Sequence, residues 1–194
     1  MISQIKLKNV NLLTLLIAFA IFISCEKGIN KQSATANGFS IIEKELKSKF
    51  GENAYYTDLL VIYNASIGNI ISVTVSEVPE SLKMEQWNAS QGAWKQNQDI
   101  SIEVPLGSKA SDFMFQLNDT INLTKLGALV ERSNSELITQ KNIENPKLYI
   151  ASIKFPKNGD VSKTEYIVVL KPEMGRTSFT FSYNIDEELI KIDY

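Results

Sequence analysis

Few side chains in this sequence are equipped for chemistry. The chain of 194 residues contains no histidine and a single cysteine, Cys25. Without imidazole it lacks the usual general base, the usual pH switch and the commonest metal ligand. One thiol permits no intrachain disulfide and no Cys/His zinc site. Serines, lysines and carboxylates are plentiful, but no motif frames any of them as nucleophile or base, so no catalytic residue, metal site or cofactor is expected. The densest acidic run is Asp186-Glu187-Glu188, with Asn184 close by. It has oxygen ligands to offer, yet lacks the glycine and the spaced ligands of a calcium loop, and it reads as a solvated hairpin.

What remains is recognition chemistry. Trp87, Trp94 and Tyr183 are large amphipathic side chains of the kind enriched where proteins bind. Two rows of hydroxyls, Ser72/Thr74/Ser76 and Ser178/Thr180/Ser182, alternate with apolar residues. Trp87, Trp94, Tyr183, Thr74 and Thr180 together form the candidate binding surface. The other reading of the same residues is structural: the tryptophans flank a hairpin turn and cap the edge of a core, and any half-solvated strand alternates in this way. Charge excludes one partner class, because the net charge is −2 with both signs interspersed and nucleic-acid binding needs clustered Lys and Arg.

These residues need strands and helices to hold them, and the pattern supplies an α+β fold. Ser40-Ile-Ile-Glu43 reads as a capping box opening a first helix, with Phe39, Ile42, Leu46 and Phe50 as its apolar stripe and Gly51 as its exit. Lys44, Glu45, Lys47 and Lys49 then form its wet face. Strands are predicted over Leu59–Asn64, through Ile71, Val73 and Val75, over Leu82–Trp87 and over Ala93–Val104. A connector with Phe113, Met114, Phe115 and Leu117 leads to a second helix from Asn122 to about Gln140, where Gly127 is out of place because glycine costs a helix about 1 kcal/mol relative to alanine. Strands follow over Leu148–Phe155, Lys163–Leu170, the alternating Thr177–Tyr183 and Leu189–Asp193.

The order of helix and four strands occurs twice. Pro172 lies 93 residues after Pro79, Tyr183 lies 96 after Trp87, and an asparagine follows each aromatic. Two such units, expected over residues 39–105 and 122–194 with a connector at 106–121, resemble the tandem cystatin-like or PepSY-like arrangement of the β-lactamase inhibitory proteins. The resemblance implies antiparallel sheets with both helices packed on one side, the opposite face available to a partner, and no transferable catalytic residue.

The N-terminus supplies an address. Lys6 and Lys8 precede an almost unbroken apolar run from Leu12 to Ile23, too short for the roughly 20 residues of a spanning helix, and Ser24 is the small residue expected before a cleavage site. With Cys25 next, residues 1–24 resemble the signal of a Bacteroidota-type bacterial lipoprotein. That resemblance implies cleavage before Cys25, lipid on its thiol, and anchoring to the outer membrane on its periplasmic or outer surface. Removal of 24 residues leaves 170 and takes away two lysines and no acid, which shifts the net charge from −2 to −4. Residues 25–38, polar and without periodicity, read as a flexible tether. Asp119-Thr120-Ile121 resembles the short O-glycosylation site of such exported proteins, at Thr120. The expected function is therefore a lipid-anchored, non-enzymatic envelope module that binds a protein partner through a sheet face or loop edge. The alternative is a carrier or sensor that holds a small ligand or glycan between sheet and helices.

Overall fold

The computed structural model describes residues 28–174 and 177–194. Met1–Ser24 and Cys25 lie outside the described residues. Among the described residues two α-helices, α1 (Ala36–Phe50) and α2 (Leu123–Lys141), accompany nine strands. β1 (Tyr55–Asn64), β2 (Gly68–Ser76), β3 (Lys83–Ser90) and β4 (Ala93–Ser101) follow α1. The two-residue β5 (Phe115–Gln116) precedes α2, and β6 (Lys147–Lys154), β7 (Glu165–Lys171), β8 (Phe179–Tyr183) and β9 (Leu189–Asp193) follow it.

The strands form one antiparallel sheet in the order β4-β3-β2-β1-β6-β7-β8-β9, with β5 pairing β1. A single rung crosses it from edge to edge: Lys95, Asn88, Ser72, Leu60, Ser152, Ile167, Ser182 and Lys191 are successive register partners. The sheet is therefore continuous through the antiparallel pair of β1 and β6, whose centre is Leu60 opposite Ser152. Both edges are polar where it matters, with Lys95-Gln-Asn-Gln-Asp99 along β4 and Lys191 and Asp193 on β9, which discourages a foreign strand from adding on.

Alternation along the strands sorts residues between two faces. Leu59, Val61, Ile71, Val73, Ala151, Ile153, Val168, Leu170 and Phe181 are buried and join Phe39, Ile42, Leu46, Leu126, Leu129 and Val130 of the helices in one core. Both helices thus cover the same face. They run antiparallel with their N-terminal halves overlapped, because the N–H of Ala36 meets Glu131 while the N–H of Leu123 meets Glu43. Gly127 lies at that crossing: a Cβ there would stand 2.5 Å from the Thr35 carbonyl oxygen and 2.8 Å from the Ala36 Cα.

Several boundaries differ from expectation. The first helix begins at Ala36, four residues before Ser40, because Thr35 is its cap and its hydroxyl accepts the Gly38 N–H at 3.2 Å. Ser40 consequently lies inside the helix and donates to the Asn37 carbonyl at 2.8 Å, so the expected capping box does not form. β1 begins at Tyr55 rather than Leu59, with a bulge at Thr57, since its first residues pair both β2 and β5. β3 continues to Ser90, and the following turn contracts to Gln91-Gly92, both at positive φ (51° and 81°), as a two-residue hairpin demands. β4 ends at Ser101, short of Val104. The 106–121 connector divides its apolar residues. Phe115 and Leu117 enter the main core, whereas Met114 and Ala110 join Met84, Ile100 and Ile102 in a second cluster. The second helix keeps its expected limits, with Asn122 as cap and Asn142 turning left-handed (φ 52°) beyond Lys141.

The tether expected over 25–38 is replaced, through its described residues 28–35, by a docked segment. Asn69 is 2% exposed, and its buried amide needs acceptors. Its Nδ2 donates to the carbonyls of Ile29 (3.3 Å) and Gln32 (2.8 Å), while Ile29 itself is buried and Asn30 reaches the Ile67 carbonyl.

Candidate functional site

The pairing of β3 with β2 decides where the tryptophans go. Val73 is opposite Trp87, and Ala89 is opposite both Ile71 and Trp94, so both indoles face the helix side, at the end of α1. Phe50, the last residue of α1, meets both edge-on, at 5.9 Å from Trp87 and 5.2 Å from Trp94, a favoured geometry for aromatic rings. Trp87 Nε1 donates to Glu85 Oε2 at 2.7 Å, and Trp94 Nε1 donates to Glu45 Oε1 at 3.3 Å. Lys49 Nζ stands 4.1 Å from the Trp87 ring centroid, 5.3 Å from Phe50 and 5.7 Å from Trp94. The result is an ammonium over three aromatic rings, flanked by two carboxylates. Lys49 and Glu45, read from the sequence as a wet helix face, are the partners that sequence reasoning missed. Their signal was faint, since only their place one turn before and beside Phe50 ties them to it.

The other candidates are elsewhere. Tyr183 is fully buried on the helix side of β8; its hydroxyl shares a 2.7 Å hydrogen bond with Ser133 Oγ, which also bonds the Leu129 carbonyl. Arg132 lies 5.2 Å over its ring, and burial pushes the phenol above its ordinary pKa. Thr74 and Thr180 are on the opposite face of the sheet. Thr74 is 4% exposed, at the end covered by the Met84 cluster, while Thr180 is partly exposed opposite Val169. The five residues therefore do not form one surface: the tryptophans make one cluster, Tyr183 belongs to the core, and the hydroxyl rows line the far face.

That far face has its own composition. Ile70, Ile62, Ile150 and Val169 are register partners on four neighbouring strands, β2, β1, β6 and β7. All four are partly exposed, as are Leu60 and Ile167 one rung away. Ser72, Ser152, Thr180 and Asn88 border them.

A polar cluster lies where α2 begins. Glu43 of α1 accepts the Leu123 N–H at 2.7 Å and pairs with Lys47 at 2.8 Å. Tyr166 accepts the Asn122 N–H at 3.3 Å and donates to the Thr120 carbonyl at 3.4 Å. Burial, helped by the charges of Glu187 and Glu43, pushes its phenol up to about 12 against the opposing Asn122 hydrogen bond. The Tyr56 hydroxyl is buried with no hydrogen-bond partner among the described residues, and burial first, then Glu43, raises its pKa strongly. Thr120 is exposed in the turn before α2. The acidic run is a closed turn in which Asn184 Oδ1 accepts the N–H of both Asp186 and Glu188, and Arg132 holds the Glu187 carbonyl at 2.8 Å. Among the described residues no group of three or more His, Cys, Asp or Glu is placed to hold a metal ion.

No protein-family model and no curated protein matches the chain. Among solved structures, similarity extends to the crystal structure of a "putative lipoprotein" from Clostridium difficile 630, at 10% identity and a TM-score of 0.49, over 85% of this chain and 96% of that one. No helix among the described residues is long and apolar enough to cross a membrane.

Proposed function

We propose that the chain is a lipid-anchored, non-enzymatic binding module of the bacterial cell envelope that meets a protein partner on the open face of its sheet. The observation that carries this is the aliphatic rung Ile70–Ile62–Ile150–Val169, in register on four adjacent strands, partly exposed, and on the side away from both helices. A contiguous apolar patch with a polar border is the ordinary anatomy of a protein interface. Ser72, Ser152, Thr180 and Asn88 supply that border.

The repeated order of helix and four strands supports a reading as two tandem α-β4 units of the cystatin-like or PepSY-like kind. The central pairing of β1 with β6 and the exchange of helix caps by Glu43 and Glu131 are what two related units meeting about a common axis would make. On this reading the patch lies at the junction of the units. The anchor is Cys25, directly after the apolar run and Ser24, at the outer membrane, and Thr120 is the O-glycosylation site. Tethering raises the effective concentration of the module toward partners at the same membrane.

Two features favour binding over the other readings. The layer between helices and sheet, where a small ligand or glycan would sit, is filled by side chains such as Phe39, Ile42, Leu46, Leu59 and Leu126, each fully buried. A surface cleft of about 430 Å³ at the end of β2, β3 and β4 contains the facing carboxylates Glu85 and Asp99. Both are engaged, Glu85 by the Trp87 indole and Asp99 by the Gln96 amide at 2.6 Å.

The test has two arms on natively expressed protein. Intact mass and membrane partition, beside Cys25→Ser, report the anchor: a diacyl or triacyl increment on a chain starting at Cys25, lost in the variant, is expected. A photo-crosslinking residue at Leu60 should yield a defined protein adduct, abolished by Ile62→Lys with Ile150→Lys, whereas one at Ser48 on the helix side should not. Equal crosslinking from both positions defeats the proposed face.

A further inference from the structure

We infer that the molecule stands end-on to the membrane, with the rim that carries the β1–β2 and β3–β4 turns against anionic lipid headgroups. This rests on the anchoring at Cys25 proposed above and adds which surface the lipid meets. Two residues, Glu26 and Lys27, separate Cys25 from Gly28, and each of the three steps between them spans at most ~3.6 Å, so covalent reach keeps the anchored Cα within about 11 Å of Gly28. From there the chain is fastened to one end of the sheet. Ile29 is buried, and the carbonyls of Ile29 and Gln32 accept from Asn69, at the start of β2. A Cβ on Gly68 would stand 2.1 Å from the Asn30 carbonyl oxygen, which fixes the segment across the β1–β2 turn.

The composition of the same rim points the same way independently. β1 and β6 reach it together, their last register pair being Ile62 with Ile150, so that Tyr63 and Tyr149 follow on adjoining strands. They are 39% and 40% exposed, and Met174, just beyond β7, is 90% exposed. Lys171 Nζ lies 3.3 Å from the Tyr149 ring centroid, Lys147 is the register partner of Lys171, and Lys31 shares a shallow depression with Tyr63 and Gln91. Tyrosine rings with a polar tip, and lysines whose stems lie along them, are suited to the headgroup layer, and lysines near an anionic leaflet are drawn to it. Glu144 and Glu173 also flank the rim, before β6 and after β7, whereas the opposite end of β2, β3 and β4 presents Glu77, Glu85 and Asp99 around Lys83. In this orientation the strands run away from the bilayer, and the aliphatic face is reached from the side.

The experiment uses the full, natively lipidated chain in vesicles of phosphatidylcholine and phosphatidylglycerol. Acylated Cys25 leaves an engineered cysteine as the reactive thiol, so bimane is placed at Ser66→Cys on the rim or at Lys83→Cys on the far end, and quenching by headgroup spin-labelled lipid is read. Strong quenching at position 66 and none at 83 is expected, with the contrast reduced when Lys31, Lys147 and Lys171 are changed together to Glu. Equal quenching of the two labels, or stronger quenching at 83, overturns the orientation while the lipidated mass leaves the anchor standing. An unlipidated mass overturns both.

Discussion

The Glu43 carboxylate of α1 accepts the backbone N–H of Leu123, the first residue of α2, at 2.7 Å. The favour is returned by Glu131 of α2, which accepts the N–H of Ala36, the first residue of α1, at 2.9 Å. Helix N-termini carry unpaired N–H groups and partial positive charge, so a carboxylate there both fills a hydrogen bond and meets a favourable field. Each helix therefore completes the start of the other, and the two cannot be packed independently.

Glu43 is the more enclosed of the two, its side chain 12% exposed and paired with Lys47. Glu43→Ala leaves the Leu123 N–H without its acceptor and Lys47 without its partner, and should cost about 2 kcal/mol of folding stability in urea titration. Glu131→Ala, at an exposed site, should cost less. A Glu43→Ala effect within the scatter of ordinary surface substitutions would mean that the cap contributes nothing.

Gly127 gives a prediction whose sign separates local propensity from packing. In an isolated helix, alanine is better than glycine by about 1 kcal/mol. At this crossing, however, a Cβ would lie 2.5 Å from the Thr35 oxygen and 2.7 Å from its carbonyl carbon, which are backbone atoms that cannot rotate away. Gly127→Ala should therefore destabilise, by about 1–3 kcal/mol, as overpacking does. A raised melting temperature would show that the helices can separate at little cost.

The same residue shows what was legible in the sequence. Periodicity located α2 to within a residue because its stripe and its Asn122 cap are local, but it made Gly127 an anomaly, since the neighbour that requires it is 92 residues away at Thr35. Ser40 and Glu43 matched a capping pattern, yet Thr35 caps α1 and Glu43 serves the other helix, a choice that only the antiparallel pairing of the helices fixes. Alternation correctly separated the rows Ile71/Val73/Val75 and Ser72/Thr74/Ser76. It could not assign the tryptophans to a face, because that depends on the register of Val73 with Trp87 and on a bulge between Gln86 and Trp87. Tyr183 read as a binding residue by its type, while its buried partner Ser133 sits 50 residues earlier on α2.

Tyr56, Tyr166 and Tyr183 make stability fall at alkaline pH. Burial raises each phenol above its ordinary value near 10, Tyr166 to about 12. Above about pH 10 the unfolded chain releases these protons and the folded chain retains them, so the unfolded state binds fewer and stability declines as pH rises. The loss should reach up to about 1.4 kcal/mol per pH unit for each tyrosine in the window between its unfolded and folded values. Urea midpoints from pH 9 to about 11.5 would read it. Tyr56 and Tyr166 differ in their hydroxyls: among the described residues, Tyr166 has hydrogen-bond partners and Tyr56 has none. Tyr56→Phe removes an unpaired buried hydroxyl and should be neutral or stabilising by about 1 kcal/mol, whereas Tyr166→Phe should destabilise by a similar amount. Equal effects would contradict the assignment of partners.

Asn69 decides how the N-terminal segment is held. Its Nδ2 is the donor to both the Ile29 and Gln32 carbonyls, and no apolar substitute can replace two hydrogen bonds directed at a bent chain. Asn69→Ala should remove the side-chain donor that the Ile29 and Gln32 carbonyls share and expose Ile29, turning 28–35 into a cleavable stretch while the core of helices and sheet stays folded. Limited proteolysis with a protease cutting after Lys31 should therefore become markedly faster, with only a small change in the cooperative unfolding midpoint, because the affected backbone contributes few core contacts beyond Ile29. If the midpoint instead drops as far as for a core deletion, the segment is an integral part of the fold rather than a docked strap. If cleavage is unchanged, Ile29 and the Asn30 contact with Ile67 hold it without Asn69.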